Sequence, residues 1–311
     1  MSTHQSKVLC YGGIAVDAIV KLPYQPKPGI THIIVEEFYR LGGGAANVTE
    51  WLAHWDIPTR LSGALLGYDQ YGDLAWNVLT AFPAIDLQFL QRDRAVSTLI
   101  ARSIPFPDGN TYLFCSDFAK APLVPPSLAM LQGIEVLEVA FYYGSPRANA
   151  ASIELADLAR VQGIKIVAMD IVSTDHPTLP IADIIINSAA SVVEQNPGAD
   201  LIEHSKALQG INRGIVITTD GGRAIHALDR DGTHYVVQPP QVQVTDATGA
   251  GDSFRAGIIY SHLNGWALPQ ALQWATAVGA WQVQRGFSQD QLPTIAKIAE
   301  VARHIEIRKK S

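Results

Sequence analysis

The residues best suited to chemistry lie in one run, Val244-Thr245-Asp246-Ala247-Thr248-Gly249-Ala250-Gly251-Asp252-Ser253-Phe254. Upstream, 235–237 and 241–244 read as extended; downstream, Phe254, Ile258, Ile259 and Leu263 recur at helical spacing. The glycines therefore sit where extended chain turns into helix. The first turn of a helix has unpaired N–H groups and a partial positive charge. Small residues there let backbone approach an anion closely. Amides of Gly249, Ala250 and Gly251 can thus hold charge that develops on a transferring phosphoryl group. Asp252, kept ionised by the same helix end, can accept a proton from an attacking hydroxyl. A plainer reading also satisfies these residues: Gly-Ala-Gly permits a tight turn and Asp252 caps a helix.

The full string is more specific than either reading. It closely resembles D-T-x-G-A-G-D, the C-terminal signature of the ribokinase-like (PfkB) carbohydrate kinases, with Ala247 where Thr is common. The resemblance continues along the chain. Tyr11-Gly12-Gly13-Ile14-Ala15-Val16-Asp17 looks like the family's first strand, which implies that Asp17 grips substrate hydroxyls. Leu41-Gly42-Gly43-Gly44-Ala45-Ala46-Asn47 is similar to the N-terminal di-glycine signature, implying sugar contacts from Gly42, Gly43 and Asn47. A dinucleotide fingerprint is a poorer match there, because position 47 is Asn rather than a third Gly. Gly67-Tyr68-Asp69-Gln70-Tyr71-Gly72 matches the family's G-x-D-x-[FY]-G turn, a structural element.

On the nucleotide side, Thr219-Asp220-Gly221-Gly222-Arg223-Ala224 resembles T-L-G-x-x-G, with Ala224 replacing the last Gly. The resemblance implies contacts from Thr219, Gly221 and Gly222 to ATP phosphates, and a hairpin turn would use the same residues. Thr276, in the small-residue run 275–280, is expected beside adenine. Asn187 matches the start of the family's N-x-x-E, but Ala190 stands where the Glu that organises Mg²⁺ is usual; Glu194 lies one helical turn beyond. ATP and Mg²⁺ are thus the implied cofactors, and a monovalent cation is compatible with the pattern. No residue is assigned as a direct metal ligand. Substrate choice is expected to come from a lid and from the segment 141–149, where Arg147 can pair with an anionic substrate group or form a surface salt bridge.

Short apolar, β-rich runs at 8–14, 164–171, 181–186 and 215–218 alternate with helical periodicity at 48–55, 148–161 and 269–283. This rhythm predicts a mainly parallel sheet covered on both faces by helices. The resemblance implies the three-layer αβα form, with 1–16, 42–95 and 117–311 as the large nucleotide-binding domain. Two stretches without helical pattern, 17–41 and 96–116, form the expected β lid, the second turning at Pro107-Asp108-Gly109-Asn110. Lid aromatics Tyr24, Phe38, Tyr39, Phe106 and Phe114 can stack on a substrate, pack the lid itself or meet a second copy of the chain. The family's habit of pairing lids implies a homodimer.

Composition narrows the classes. Net charge is −6 and the only basic cluster is Arg308-Lys309-Lys310, read as a solvated tail, so no nucleic-acid stripe is present. Cys10 and Cys115 read as buried thiols rather than a disulfide framework. The polar residues 1–6 lack a signal-peptide pattern and no uncharged apolar run approaches membrane length, so a cytoplasmic protein is expected. G-x-x-x-x-G-K-[ST], H-E-x-x-H and the protein-kinase loops are absent. The leading expectation is an ATP-dependent sugar kinase. A nucleoside kinase of the same family and a non-catalytic, ribokinase-like regulatory protein remain as alternatives.

Overall fold

The computed structural model of the chain describes residues 5–106, 111–118, 121–142, 145–285 and 292–310. The apolar runs become strands Val8–Gly12, Val136–Ala140, Lys165–Met169 and Ile184–Ser188 at the centre of the main sheet. Val8–Gly12 and Val136–Ala140 are buried at every position, as parallel strands covered on both faces must be. Parallel pairing continues through Ile215–Thr219 on one side and through Thr59–Gly63 and Ile85–Asp86 on the other. Antiparallel strands Ile225–Leu228, His234–Val237 and Ile307–Lys310 complete the ten strands. The basic C-terminal residues are therefore not a free tail: Arg308, Lys309 and Lys310 pair with Val236, Tyr235 and His234 as an edge strand. Their side chains point to solvent along a charged edge, a usual protection against further strand pairing.

Two hydrophobic cores sandwich the sheet. On one face lie helices Gly44–His54, Ala250–Leu263, Leu268–Arg285 and Ile295–Ala302; on the other lie Pro146–Val161 and Leu201–Asn212. The three-layer αβα expectation is met. Ala250–Leu263, which carries Asp252, is seated by an aromatic cluster. Tyr260 stacks on Trp274 at 5.2 Å and meets Trp55 edge-on at 5.1 Å, and Trp266 abuts Trp274 at 5.4 Å. Each such pair adds about 0.5–1.5 kcal/mol beyond area burial. Helices Ala250–Leu263 and Leu268–Arg285 also cross closely at Gly257, where a Cβ would lie 2.7 Å from the Ala275 backbone.

A second, four-stranded sheet runs Glu36–Gly42, Ala15–Lys21, Leu99–Pro105, Thr111–Cys115. Ala15–Lys21 pairs antiparallel with Glu36–Gly42 and parallel with Leu99–Pro105. The turn expected at Pro107–Asn110 lies outside the described residues. Asp69 ties this sheet to the main body. It caps helix Gln70–Thr80 by accepting from the Gly72 N–H at 2.7 Å, and its other oxygen accepts from the Thr98 N–H at 2.8 Å. Cys10 is buried as expected, but Cys115 is exposed, because it lies on the edge strand of the small sheet, which is exposed at four consecutive positions and hence on both faces. Among the described residues, no helix is long and apolar enough to cross a membrane.

Candidate active site

The carboxyl ends of parallel strands form a natural crevice in an open α/β sheet, and the expected residues gather at that edge. Gly249 is the N-cap of helix Ala250–Leu263 with φ 79°, a left-handed conformation that glycine adopts without steric cost. The turn places Asp252 in the first helical turn. Of the three amides expected to form an anion hole, that of Ala250 is used internally, donating to the Ala247 carbonyl at 3.2 Å. The amides of Gly249 and Gly251 donate to no group among the described residues, and open space surrounds the Gly251 Cα on its side-chain side.

Asp252 is not a free carboxylate. One oxygen, Oδ1, accepts from Nη2 of Arg255 one turn along the helix; the other, Oδ2, accepts from Nδ2 of Asn47 at 2.7 Å. Its side chain remains 15% exposed, so it opens on the cleft while both oxygens are fixed. A carboxylate has about four acceptor positions, so two such bonds leave room to take a proton. Asn47 thus faces the acid through its side-chain amide nitrogen. Arg255 in turn meets Glu138 through Nη1 at 2.5 Å, and both are almost fully buried. Burial opposes the Arg255 charge, yet Glu138 and Asp252 together hold it more firmly protonated.

Asp17, on the small sheet, is 4% exposed and close enough to Asp252 for their charges to interact. Burial pushes its carboxyl up to about 7 against the pull of Arg40, with Asp252 and Asp246 adding to the rise. Gly42 packs directly on the Asp17 carboxylate, where any side chain would overlap it. Gly43 is the N-cap of helix Gly44–His54, wedged against the Gly13 and Ala15 backbone. Tyr142 and Phe118 add an aromatic wall that the motifs do not announce: their rings stand 4.4 Å apart, and the Tyr142 hydroxyl accepts from the Gly13 N–H at 3.3 Å. A side chain starting at Gly44 would lie 3.0 Å from Arg255 Nη2, 3.4 Å from Asp252 Oδ1 and 3.5 Å from the Tyr142 hydroxyl. These groups surround one small space.

Arg40 joins the two sides of this space. From strand Glu36–Gly42 its Nη2 donates to Asp246 Oδ2 at 3.1 Å and to the Thr248 carbonyl at 3.4 Å, and its Nε lies 3.7 Å from Asp17. Asp246 and Asp17 are both buried, so Arg40 is their shared counter-charge. Arg40→Met is expected to lower stability by about 3 kcal/mol, the low end for stranding buried charge, because Asp17 can take up a proton. A thermal melt checks this; an unchanged Tm would mean that Arg40 does not carry that charge balance.

On the other side, Asn187 is the penultimate residue of strand Ile184–Ser188, 1% exposed, with Nδ2 donating to the Ile171 carbonyl at 2.7 Å. Among the described residues its Oδ1 has no partner, and neither has Oδ1 of Asp170, one strand over. Asp170 holds φ 60°, rare for a residue with a side chain and common where geometry serves a site. Burial raises its carboxyl above the usual range. Thr219, Gly221 and Gly222 lie at the turn between antiparallel strands Ile215–Thr219 and Ile225–Leu228, both glycines exposed. Thr276 is buried in helix Leu268–Arg285, its hydroxyl without a partner among the described residues. Arg147 is exposed in the first turn of Pro146–Val161. Ala190 and Glu194 are exposed on helix Ala189–Gln195. Of the lid aromatics, Phe106 is buried against Tyr112, Tyr39 meets Tyr71, and Tyr24 and Phe114 face solvent.

Sequence reasoning missed Arg255, Glu138, Arg40, Tyr142 and Asp170. A glutamate inside the apolar strand Val-Leu-Glu-Val-Ala, and an arginine three residues after Asp252, were the available signals.

Comparison with known proteins yields concordant matches. The pfkB family carbohydrate kinase profile matches residues 5–295. A 5-dehydro-2-deoxygluconokinase of Geobacillus thermodenitrificans is 29% identical over 92 residues, covering 30% of this chain and 27% of that protein. The chain thus aligns with about a quarter of that relative's length. Acarbose 7(IV)-phosphotransferase of an Actinoplanes species is 26% identical over 302 residues, covering 90% of this chain and 93% of its own. Arabidopsis thaliana ribokinase, solved with ribose and ATP, superposes with a TM-score of 0.74 at 18% identity, covering 96% of this chain and 99% of its own.

Proposed function

Because the chain belongs to the pfkB family of carbohydrate kinases, we propose that it transfers the terminal phosphoryl group of ATP to a hydroxyl of a small sugar or sugar derivative. The observation that carries this reading is the fixed carboxylate of Asp252 at a helix start whose Gly249 and Gly251 amides are unengaged. The sugar lies between Asp17 and Asp252, against Tyr142 and Phe118, with residues 17–41 and 96–116 as its lid. Asp17 accepts hydrogen bonds from substrate hydroxyls. Asp252 takes the proton of the attacking hydroxyl as its oxygen bonds the γ-phosphorus; the bond to the bridging oxygen breaks and ADP leaves. The two free amides stabilise charge on the equatorial phosphoryl oxygens.

ATP occupies the edge formed by Asn187, Thr219, Gly221 and Gly222, with adenine towards Thr276. The orphaned oxygens of Asn187 and Asp170 suit the water shell of a hydrated cation, so they would hold Mg²⁺, which when bound neutralises phosphate charge. Exposed apolar side chains on the small sheet and its connection, among them Ile33, Val35, Leu113 and Phe114, support a homodimer through the lid.

The test is ADP release across neutral sugars, sugar acids, sulfonated sugars, nucleosides, acarbose and 5-dehydro-2-deoxygluconate. Turnover of a sugar-like acceptor is expected, and preference for an anionic one would assign Arg147 to its charge. A flat panel with ATP still bound would overturn the kinase reading. pH dependence follows from Asp17, whose carboxyl stands near 7. It accepts two hydroxyl bonds only when ionised, so acceptor KM is expected to rise several-fold as pH falls from 8 to 6. Asp17→Asn should flatten that rise.

A further inference from the structure

The strand Val136–Ala140 reads Val-Leu-Glu-Val-Ala and is buried throughout, so a glutamate at its centre is out of place by every packing criterion. Glu138 pairs in register with Cys10 on one neighbouring strand and Val167 on the other, in the middle of the parallel sheet. Its side chain and that of Arg255 are each 1% exposed. Taking both charges from water is costly, and mutual attraction offsets that cost only when every remaining polar atom is satisfied. Here it is not: Glu138 Oε2 and Arg255 Nε have no hydrogen-bond partner among the described residues. Burial accordingly pushes the Glu138 carboxyl up to about 7 in spite of the guanidinium beside it. An apolar pair of the same volume would serve stability as well or better. Something other than stability accounts for these two charges.

The second arm of Arg255 supplies it. Nη1 bonds Glu138 and Nη2 bonds Asp252 Oδ1, so one rigid guanidinium links the sheet centre to the acid at the cleft. Asn47 secures the remaining Asp252 oxygen from helix Gly44–His54. We infer that Glu138 is a positioning residue that acts through Arg255: it aims the guanidinium, balances its charge, and so fixes Asp252 in orientation without removing its ability to accept a proton. Arg255 alone would place an unopposed positive charge on the base. With an ionised Glu138 behind it, the three-residue chain carries a net charge of −1, with the Asp252 carboxylate at the cleft. The inference rests on Asp252 acting as the base, as proposed above.

The test separates an aiming role from a structural one. Glu138→Gln keeps size and an acceptor for Arg255 but removes the charge. It is expected to lower kcat by about 10–100-fold, the scale of a misplaced catalytic group, with KM for ATP and acceptor within about threefold. Arg255→Lys should retain part of the rate and Arg255→Met should lose about 100-fold or more. The double variant Glu138→Gln, Arg255→Met carries no buried charge and should fold, as neutral replacements of buried pairs commonly do, and yet be as slow as Arg255→Met. In an Asp252→Asn background, Glu138→Gln should cost nothing further. A folded double variant with wild-type kcat, or an undiminished penalty in the Asp252→Asn background, would overturn the inference. Wild-type activity in Asp252→Asn alone would instead remove the base assignment beneath it.

Discussion

Asp252→Asn is expected to lower kcat by at least about 100-fold while leaving ATP affinity within about threefold. The substitution is isosteric, so the turn at Gly249 and its unengaged amides should persist. What changes is acceptor capacity. The carbonyl oxygen of an Asn can still accept from Arg255 Nη2, but its amide nitrogen then opposes the Nδ2 donor of Asn47, where Asp252 Oδ2 now accepts at 2.7 Å. No group at that position can then take a proton from an alcohol. Steady-state ADP release at saturating ATP and acceptor measures the first quantity; titration with a fluorescent ATP analogue measures the second. A variant that turns over like the parent would show the base to lie elsewhere.

Gly43→Ala should have a large effect for a single-atom addition near the cleft. Gly43 holds φ 88° and ψ 135°, which a side chain tolerates poorly. A Cβ there would also lie 2.5 Å from the Gly13 carbonyl oxygen and 2.8 Å from the Ala15 nitrogen. Both neighbours are backbone, so neither can rotate away. Strain of this kind costs about 1–3 kcal/mol and forced overpacking about as much again. The damage should not stay local, because residues 42–44 join a strand of the small sheet to the helix that carries Asn47. Tm is expected to fall by several degrees and acceptor KM to rise about tenfold or more, read by thermal melt and by acceptor titration. Unchanged values of both would mean that this joint has slack that the packing does not show.

The sequence made some of this legible and hid the rest for physical reasons. The alternation of β-rich runs with helical periodicity marked out the parallel sheet, since buried strands need unbroken apolar stretches and their covering helices need one apolar face. The glycine string marked the helix start at Ala250, because few residues other than glycine reach the conformation seen at Gly249. Pairings across long sequence separations were hidden. Glu138 and Arg255 are 117 positions apart, and only the packing of helix Ala250–Leu263 on the sheet brings them together. Arg40 and Asp246 are 206 positions apart and meet through the small sheet. Local charge also misled: Arg308-Lys309-Lys310 looks like a solvated end, yet backbone pairing with His234–Val237 makes it an edge strand. Cys115, apolar by type, is exposed because it sits on an edge strand uncovered on both faces. Ala250, read as part of a three-amide hole, spends its N–H on the turn that forms the hole.

The aromatic cluster around Tyr260 gives the molecule an optical asymmetry. Trp55, Trp266 and Trp274 all contact Tyr260 on the helix that carries Asp252, and Trp51 touches Trp55 behind them. Neither 17–41 nor 96–116 contains a tryptophan. Four of the six tryptophans lie in this cluster, so intrinsic emission reports chiefly on how that helix is seated, with Trp76 and Trp281 as separate contributors. Comparing it with far-ultraviolet dichroism, which sees both, distinguishes loosening of the cover from loss of the catalytic scaffold, with no label attached.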